Sequence, residues 1–353
     1  MTETVERCEL APDFTISRIL TGLWQIADME RDGRFVDTEA AAQAMRPYVE
    51  RGLTTFDMAD HYGSAEDIAG IFIDRHTPGD AVQVATKWVP KPGPMSRDDV
   101  RAGVDRALER LRSETIDLLQ FHAWNYADPG YLDGLLYLQE LKEEGLIRHL
   151  GLTNFDAAHL RIVLASGIEV ISNQVCLSLF DRRAQGAMSE VCAEYDVKLL
   201  AFGTLAGGLL TDRFMGLLEP DEMRTWSEMK YKRFLDITGD WESYQELLRA
   251  LAGVAAKHDV SIANVATRWV LEQPAVGGVI IGARLGESEH IDDNLRLFGF
   301  ALDADDHARI EQAVAEFAPI PGDCGDEYRK PPFLTASGDL SHHEDGFPPV
   351  SYT

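Results

Sequence analysis

The sequence predicts an α/β fold, a (β/α)8 TIM barrel with an N-terminal β-hairpin, a long loop after the seventh barrel strand and an irregular C-terminal tail. Three observations predict it. Eight short apolar runs, rich in β-branched and aromatic residues, alternate with stretches of helical spacing, and such alternation builds a parallel sheet. A length of 353 residues suits one barrel with insertions. Several runs also end in reactive side chains, Asp57, Lys87 and His122, with Tyr62 just beyond the first of them. The C-terminal ends of parallel strands open into a crevice, where such groups are displayed. An open doubly wound sheet is the competing architecture, but the first strand leads into TGLWQIAD rather than a GxGxxG turn.

In chain order, residues 7–18 read as a short hairpin and Ile19–Ile26 as the first buried strand. Thr38–Glu50 has helical spacing of Ala41, Ala42, Met45 and Val49, with Gly52 as its stop. Thr54–Asp60 is the second strand and Ala65–Asp74 a helix. Ala81–Trp88 is the third strand, and Ser96 caps a helix to Leu111 with Asp98 and Asp99 in its first turn. Ile116–His122 is the fourth strand, followed by a helix over Tyr131–Glu144. Ile147–Asn154 is the fifth, with Asp156 capping the next helix. The sixth and seventh strands are Val170–Val175 and Lys198–Leu205, with a helix over Ala187–Tyr195 between them. Val276–Ala283 is the eighth, and a helix spans Ser288–Leu297. The connection from Leu205 to Glu242 carries Trp226, Tyr231 and Phe234 and is expected to cover something. The tail from Pro319 is rich in Pro and Gly, and its aromatics Tyr328, Phe333 and Phe347 are expected to pack. The whole chain, 1–353, reads as a single barrel domain, with residues 1–18 as the hairpin and 319–353 as an extension over the barrel.

Apolar content of 45% and charged content of 26% are those of a soluble globular protein. No apolar run approaches the ~18 residues of a membrane span, and the start lacks a secretory apolar region. Cys8, Cys176, Cys192 and Cys324 are scattered with no CxxC pair, which fits reduced thiols in a cytoplasmic protein. A net charge of −26 argues against nucleic acid or an anionic membrane as partner. An anionic ligand would therefore need a local basic site. Whether the chain is a monomer or a homo-oligomer is open.

The stretches TTFDMADHYGSAE, ATKW, LLQFHAW, GLTNF, SNQV, AFGTLAGGLL and IIGARLGESEHIDDN occur in one order from Leu20 to about Leu302. Jointly they resemble the aldo-keto reductase superfamily. The resemblance implies reduction of an aldehyde or ketone, a small-molecule carbonyl substrate, with NADP(H) as cofactor. Tyr62 would be the general acid, Lys87 the cation that stabilises its phenolate, Asp57 the partner of Lys87, and His122 the group that orients the carbonyl. Gly22, Trp24 and Asp57 would flank the cofactor. Thr153, Asn154 and Gln174 would meet the nicotinamide carboxamide, and Phe202 would stack on its ring where Tyr or Trp is more common. Gly203, Leu205, Gly208 and Leu209 match a segment that follows the pyrophosphate.

In the last stretch, Gly282, Ala283, Arg284, His290, Asp293 and Asn294 would hold the adenosine end, Arg284 taking the 2′-phosphate. Two departures lower the preference for NADPH over NADH: a slightly longer spacing from Gly282 to Asn294, and His290 in place of a longer polar side chain. An ordinary ion pair of Arg284 with Glu287 or Glu289 is the plainer alternative. Trp24, Trp88 and Trp124 sit at strand ends with Tyr62 and His122 and would wall the substrate pocket. No metal is expected: His342 and His343 lie in the tail, and Lys87 beside Asp57 and His122 disfavours a metal-dependent barrel hydrolase or lyase. A cofactor-binding regulatory or redox-sensing subunit with slow turnover is the alternative function.

Overall fold

The computed structural model describes residues 4–30, 33–76, 82–91, 93–124, 126 and 128–329. The hairpin expected over residues 7–18 is present as β1 (Arg7–Ala11) and β2 (Phe14–Ser17), paired antiparallel. Eight parallel strands then close into a barrel: β3 (Ile19–Gly22), β4 (Thr55–Asp57), β5 (Gln83–Trp88), β6 (Ile116–Phe121), β7 (Ile147–Thr153), β8 (Ser172–Cys176), β9 (Lys198–Phe202) and β10 (Val276–Gly282). Their order around the barrel is sequential, and β10 closes on β3 with Gly282 beside Gly22. The predicted fold class holds.

The helices run α1 (Trp24–Met29), α2 (Thr38–Gln43), α3 (Arg46–Glu50), α4 (Ala65–His76), α5 (Arg97–Leu111), α6 (Gly130–Glu143), α7 (Ala157–Ala165), α8 (Ala187–Tyr195), α9 (Trp226–Thr238), α10 (Trp241–His258), α11 (Ile262–Leu271), α12 (Ile291–Leu295) and α13 (Ala304–Val314). Ser96 and Asp99 form the reciprocal capping box that starts α5, and the Asp156 carboxylate caps α7 through the His159 N–H. Among the described residues no helix is long and apolar enough to cross a membrane.

Several expected elements differ. The first strand ends at Gly22 and the chain turns into α1, so Trp24 sits on a helix. ILTGLWQI is mostly apolar, and α1 buries Ile26, Ala27 and Met29; apolarity alone does not separate such a short helix from a strand. The helix expected over 38–50 is two, α2 and α3, because Pro47 at the start of α3 has no N–H to continue the ladder. The start of the third strand at Ala81 lies outside the described residues, as do Phe333, Phe347, His342 and His343. The connection after β9 holds two 3-10 turns, Ala206–Gly208 and Asp212–Phe214, and then α9. Helices α10, α11 and α13 are additions to the expected set, and the helix expected over 288–297 is α12 followed by a 3-10 turn, Arg296–Gly299.

The hairpin closes one end of the barrel. Leu10, Phe14 and Ile16 pack with the inward residues Leu20, Ala85, Leu118 and Leu200 in one apolar cluster. That seal leaves the opposite end, where the strands' C-termini lie, as the open one. Phe14→Ala should therefore lower stability by about 3–5 kcal/mol, read as a lower urea midpoint, while refolded protein keeps its cavity. A loss below about 1 kcal/mol would mean that the hairpin does not seal the barrel.

Candidate active site

Side chains alternate in and out along a strand, so Asp57, then Ala85 and Lys87, then Leu118, Gln120 and His122 step up the barrel interior. Lys87 donates through Nζ to both Asp57 carboxylate oxygens, at 2.9 and 2.8 Å, and to the Met58 carbonyl at 2.8 Å. The residues are 2% and 3% exposed. Gln174 Nε2 donates to Asp57 Oδ1 at 2.7 Å and to Gln120 Oε1 at 2.9 Å, and Gln120 Nε2 reaches the same Asp57 oxygen at 3.3 Å. Burial pushes the Lys87 ammonium pKa below its ordinary value, with Asp57 opposing the shift. The Lys87 Nζ stands 4.7 Å from the centre of the Tyr62 ring.

The loop carrying Tyr62 is held from several sides. Ser64 donates to the Glu30 carboxylate through its N–H at 3.0 Å and through its hydroxyl. Asp60 accepts from the Val89 N–H at 3.2 Å and pairs with His61 at 2.9 Å. Arg110 donates to the Asp60 carbonyl at 2.9 Å and to buried Glu66 at 3.1 Å. Trp24 meets the Tyr62 ring edge-on at 5.0 Å. His122 lies stacked with Trp124, centroids 5.3 Å apart, and Tyr328 of the tail meets both rings edge-on.

Asp57, Tyr62, Lys87 and His122 line one cavity of about 360 Å³ at the open end of the barrel. The same wall carries Gly22, Trp24, Trp124, Thr153, Asn154, Gln174, Phe202, Gly203, Leu205, Gly208, Gly282, Ala283, Arg284, His290 and Asn294. Three sequence-predicted residues lie elsewhere. Trp88 follows Lys87, so the strand's alternation turns it outward, against Gly103 of α5 and Phe121. Leu209 is buried in the apolar core, and its carbonyl accepts from the Tyr244 hydroxyl at 2.6 Å. Asp293 accepts from the Ser261 hydroxyl at 3.0 Å, away from the cavity face of α12.

The chain's own groups fit a nicotinamide dinucleotide along this wall. Thr153 Oγ1 and Asn154 Oδ1 are buried and have no hydrogen-bond partner among the described residues, which suits a bound amide. Asn154 has a left-handed φ of 58° and places Nδ2 3.3 Å from His122 Nε2. Gly208 has φ of +98°, and a Cβ there would meet nothing within 4 Å, so its backbone is open to close approach. Gly203 is required for another reason: at φ +73° its Cβ would stand 2.3 Å from the Tyr231 hydroxyl of α9.

Some residues at the cavity wall or in the network beneath it were not singled out from sequence. Gln120 could have been, since it stands two residues before His122 and shares its face. Asp28, Arg213 and Lys230 could not, because tertiary packing brings them to the cavity. Lys230, on α9, donates to the Tyr328 hydroxyl at 2.5 Å. The Tyr328 segment is anchored by Arg183, which pairs with Asp181 at 2.6 Å and Glu327 at 2.7 Å, and by Arg329, which donates to the Ala123 carbonyl at 3.2 Å and to the Asn154 carbonyl. Among the described residues no three His, Cys, Asp or Glu side chains group as a metal site requires.

The profile of the Aldo/keto reductase family matches residues 18–315. The chain belongs to that family. It is 26% identical over 335 residues to the aldo-keto reductase YhdN of Bacillus subtilis, spanning 90% of this chain and 95% of that one. It is 25% identical over 330 residues to the NADH-specific methylglyoxal reductase of Escherichia coli, spanning 86% and 96%. The solved structure of the glycerol dehydrogenase AKR11B4 from Gluconobacter oxydans superposes with a TM-score of 0.73 at 25% identity, covering 91% of this chain and 98% of that one. This protein is thus an oxidoreductase of a family that uses a nicotinamide cofactor.

Lys87 and Asp57 are mutually dependent. Lys87→Met should leave a buried carboxylate with neutral donors only and cost about 3–5 kcal/mol of stability. The double variant Lys87→Met/Asp57→Leu should recover most of it. Thermal and urea denaturation read both, and a double variant no more stable than the single one would contradict a desolvated pair.

Proposed function

We propose that this protein reduces an aldehyde or ketone to the alcohol, with NADPH as hydride source and Tyr62 as the general acid. The carrying observation is the Lys87 ammonium, fixed by Asp57 and set 4.7 Å from the Tyr62 ring centre. A free tyrosine has a pKa of about 10, so proton donation at neutral pH needs help. An adjacent ammonium stabilises the phenolate that donation leaves behind. His122, clamped by Trp124 and Tyr328 and reached by Asn154 Nδ2, orients the carbonyl. Trp24 and Trp124 give that end of the cavity apolar walls.

When bound, the nicotinamide supplies the hydride, and the protein supplies position and electrostatics. Thr153 and Asn154 hold its carboxamide and Phe202 flanks its ring. Gln174 acts one step back, since its amide N–H is spent on Asp57 and Gln120. Gly203, Leu205 and Gly208 follow the pyrophosphate, and Arg284, His290 and Asn294 receive the adenosine end. The names of relatives support a carbonyl substrate: methylglyoxal reductase, and the aflatoxin B1 aldehyde reductase member 2 of Rattus norvegicus. We read the whole chain as one domain acting in the cytoplasm. The assembled tetrad favours turnover over a purely regulatory cofactor-binding role.

Tyr62→Phe should lower kcat for aldehyde reduction by roughly 10²–10⁴-fold while leaving the NADPH dissociation constant within about twofold. Stopped-flow turnover and fluorescence titration read the two quantities separately. Full activity in this variant would remove Tyr62 as the acid.

A further inference from the structure

Arg284 follows β10, and Asp28 lies on α1, after the neighbouring strand β3. Both line the cavity, on the side that also carries Ser288, His290 and Asn294. Arg284 Nη1 donates to Asp28 Oδ2 at 2.8 Å, and its Nε donates to Glu287 Oε2 at 2.8 Å. One guanidinium thus faces two carboxylates. The two acids differ in freedom. The Glu287 side chain is 47% exposed and can swing into solvent, whereas that of Asp28 is 10% exposed and rides on a helix packed into the barrel mouth.

This arrangement bears on how the site treats a ribose 2′ substituent. A 2′-phosphate is recognised by a guanidinium that offers both N–H edges. Here one edge is already on Asp28, and a phosphate arriving at Arg284 would also meet the Asp28 charge. Partly buried charges are screened little by salt, so that repulsion is retained. A ribose 2′-hydroxyl is different. It is a hydrogen-bond donor, and a carboxylate accepts from it, as the acidic residue of the NAD-binding Rossmann domain does.

We infer that Asp28 sets the balance between NADH and NADPH in this protein: by holding Arg284 in an ion pair it weakens the grip on a 2′-phosphate and lets the site accept NADH. The inference rests on reading the cavity as a nicotinamide dinucleotide site. It makes Asp28, rather than Arg284 alone, the specificity-determining residue.

The test compares Asp28→Asn with the wild-type full chain in calorimetric titrations with NADPH, NADH, adenosine 2′,5′-bisphosphate and 5′-AMP. The fragments report on the adenosine end independently of turnover. Asp28→Asn should tighten NADPH and the bisphosphate about tenfold and leave NADH and 5′-AMP unchanged or weaker. Asp28→Ser replaces it if the Asn variant does not fold, as judged by its melting curve. Glu287→Gln should shift the NADPH-to-NADH ratio by less than about threefold. An unchanged ratio in the Asp28 variants, or a larger shift in Glu287→Gln, overturns the assignment to Asp28. If the wild type binds neither dinucleotide and neither fragment, the cofactor reading of the cavity fails first. Binding of both dinucleotides with an unmoved ratio defeats the Asp28 inference alone.

Discussion

A lysine and an aspartate buried inside a closed barrel are the constraint on which the site depends. Charges taken out of water are costly unless paired and hydrogen-bonded. Lys87 meets this with three acceptors, the two Asp57 oxygens and the Met58 carbonyl. Asp57 meets it with Lys87 and the amide groups of Gln174 and Gln120. These four residues come from β4, β5, β6 and β8, so one polar network ties half the barrel's strands together at mid-height. Below it lies the apolar cluster sealed by the hairpin; above it lie Tyr62 and His122. The strand layers pass from an apolar plug through a paired charge to an open cavity, and the ammonium is fixed beside the phenol because the network allows it little else.

The parts of this arrangement visible in the sequence were those carried by single strands. Asp57, Lys87 and His122 each end an apolar run, and their position at the barrel mouth follows from topology. The same rule, applied to parity, separates Lys87 from Trp88, since neighbours on a strand face opposite ways. Trp88 was read with the pocket because its place at the strand end was weighed and its parity was not. Trp24 reads as part of the first strand for a different reason: in a helix of six residues the polar pair Gln25 and Asp28 spans less than one turn, too short for a period to show. Leu209 and Asp293 sit one position from residues that do line the cavity, Gly208 and Asn294, the first pair at the end of a 3-10 turn and the second on α12, where one step carries a side chain off the cavity face.

What the sequence hid was made by packing between distant segments. Asp28 meets Arg284 across 256 residues, and Lys230 meets Tyr328 across 98. Neither pair leaves a periodic or motif signal. The long connection was expected to cover something, and α9 does so: Trp226 comes within 6.2 Å of Trp24, and Tyr231 fills the space that Gly203 leaves open. The tail supplies Tyr328 from the other side, pinned by Arg183 and Arg329. Helix α9 and the Tyr328 segment thus meet over the cavity, and the shape of that end is set by two segments that fold against each other.

Electrostatics give those packing contacts a bearing on the proposed anionic cofactor. With a net charge of −26, the molecule as a whole repels anions, but at physiological salt that field fades over about 8 Å. Binding then turns on the cations of the cavity wall. Lys87 is committed to Asp57, Arg213 to Glu228 at 2.6 Å and Arg284 to Asp28. Each of these three has an acid already in hand, and Lys230 donates to the Tyr328 hydroxyl. A dinucleotide phosphate gains at such a site only the difference between its own pairing and the one it displaces. On the proposed reading of the cavity, neutral donors and open backbone at Thr153, Asn154 and Gly208 would therefore carry more of the recognition than the count of wall cations suggests. Selectivity among phosphates then falls to whichever wall acid is least able to move aside.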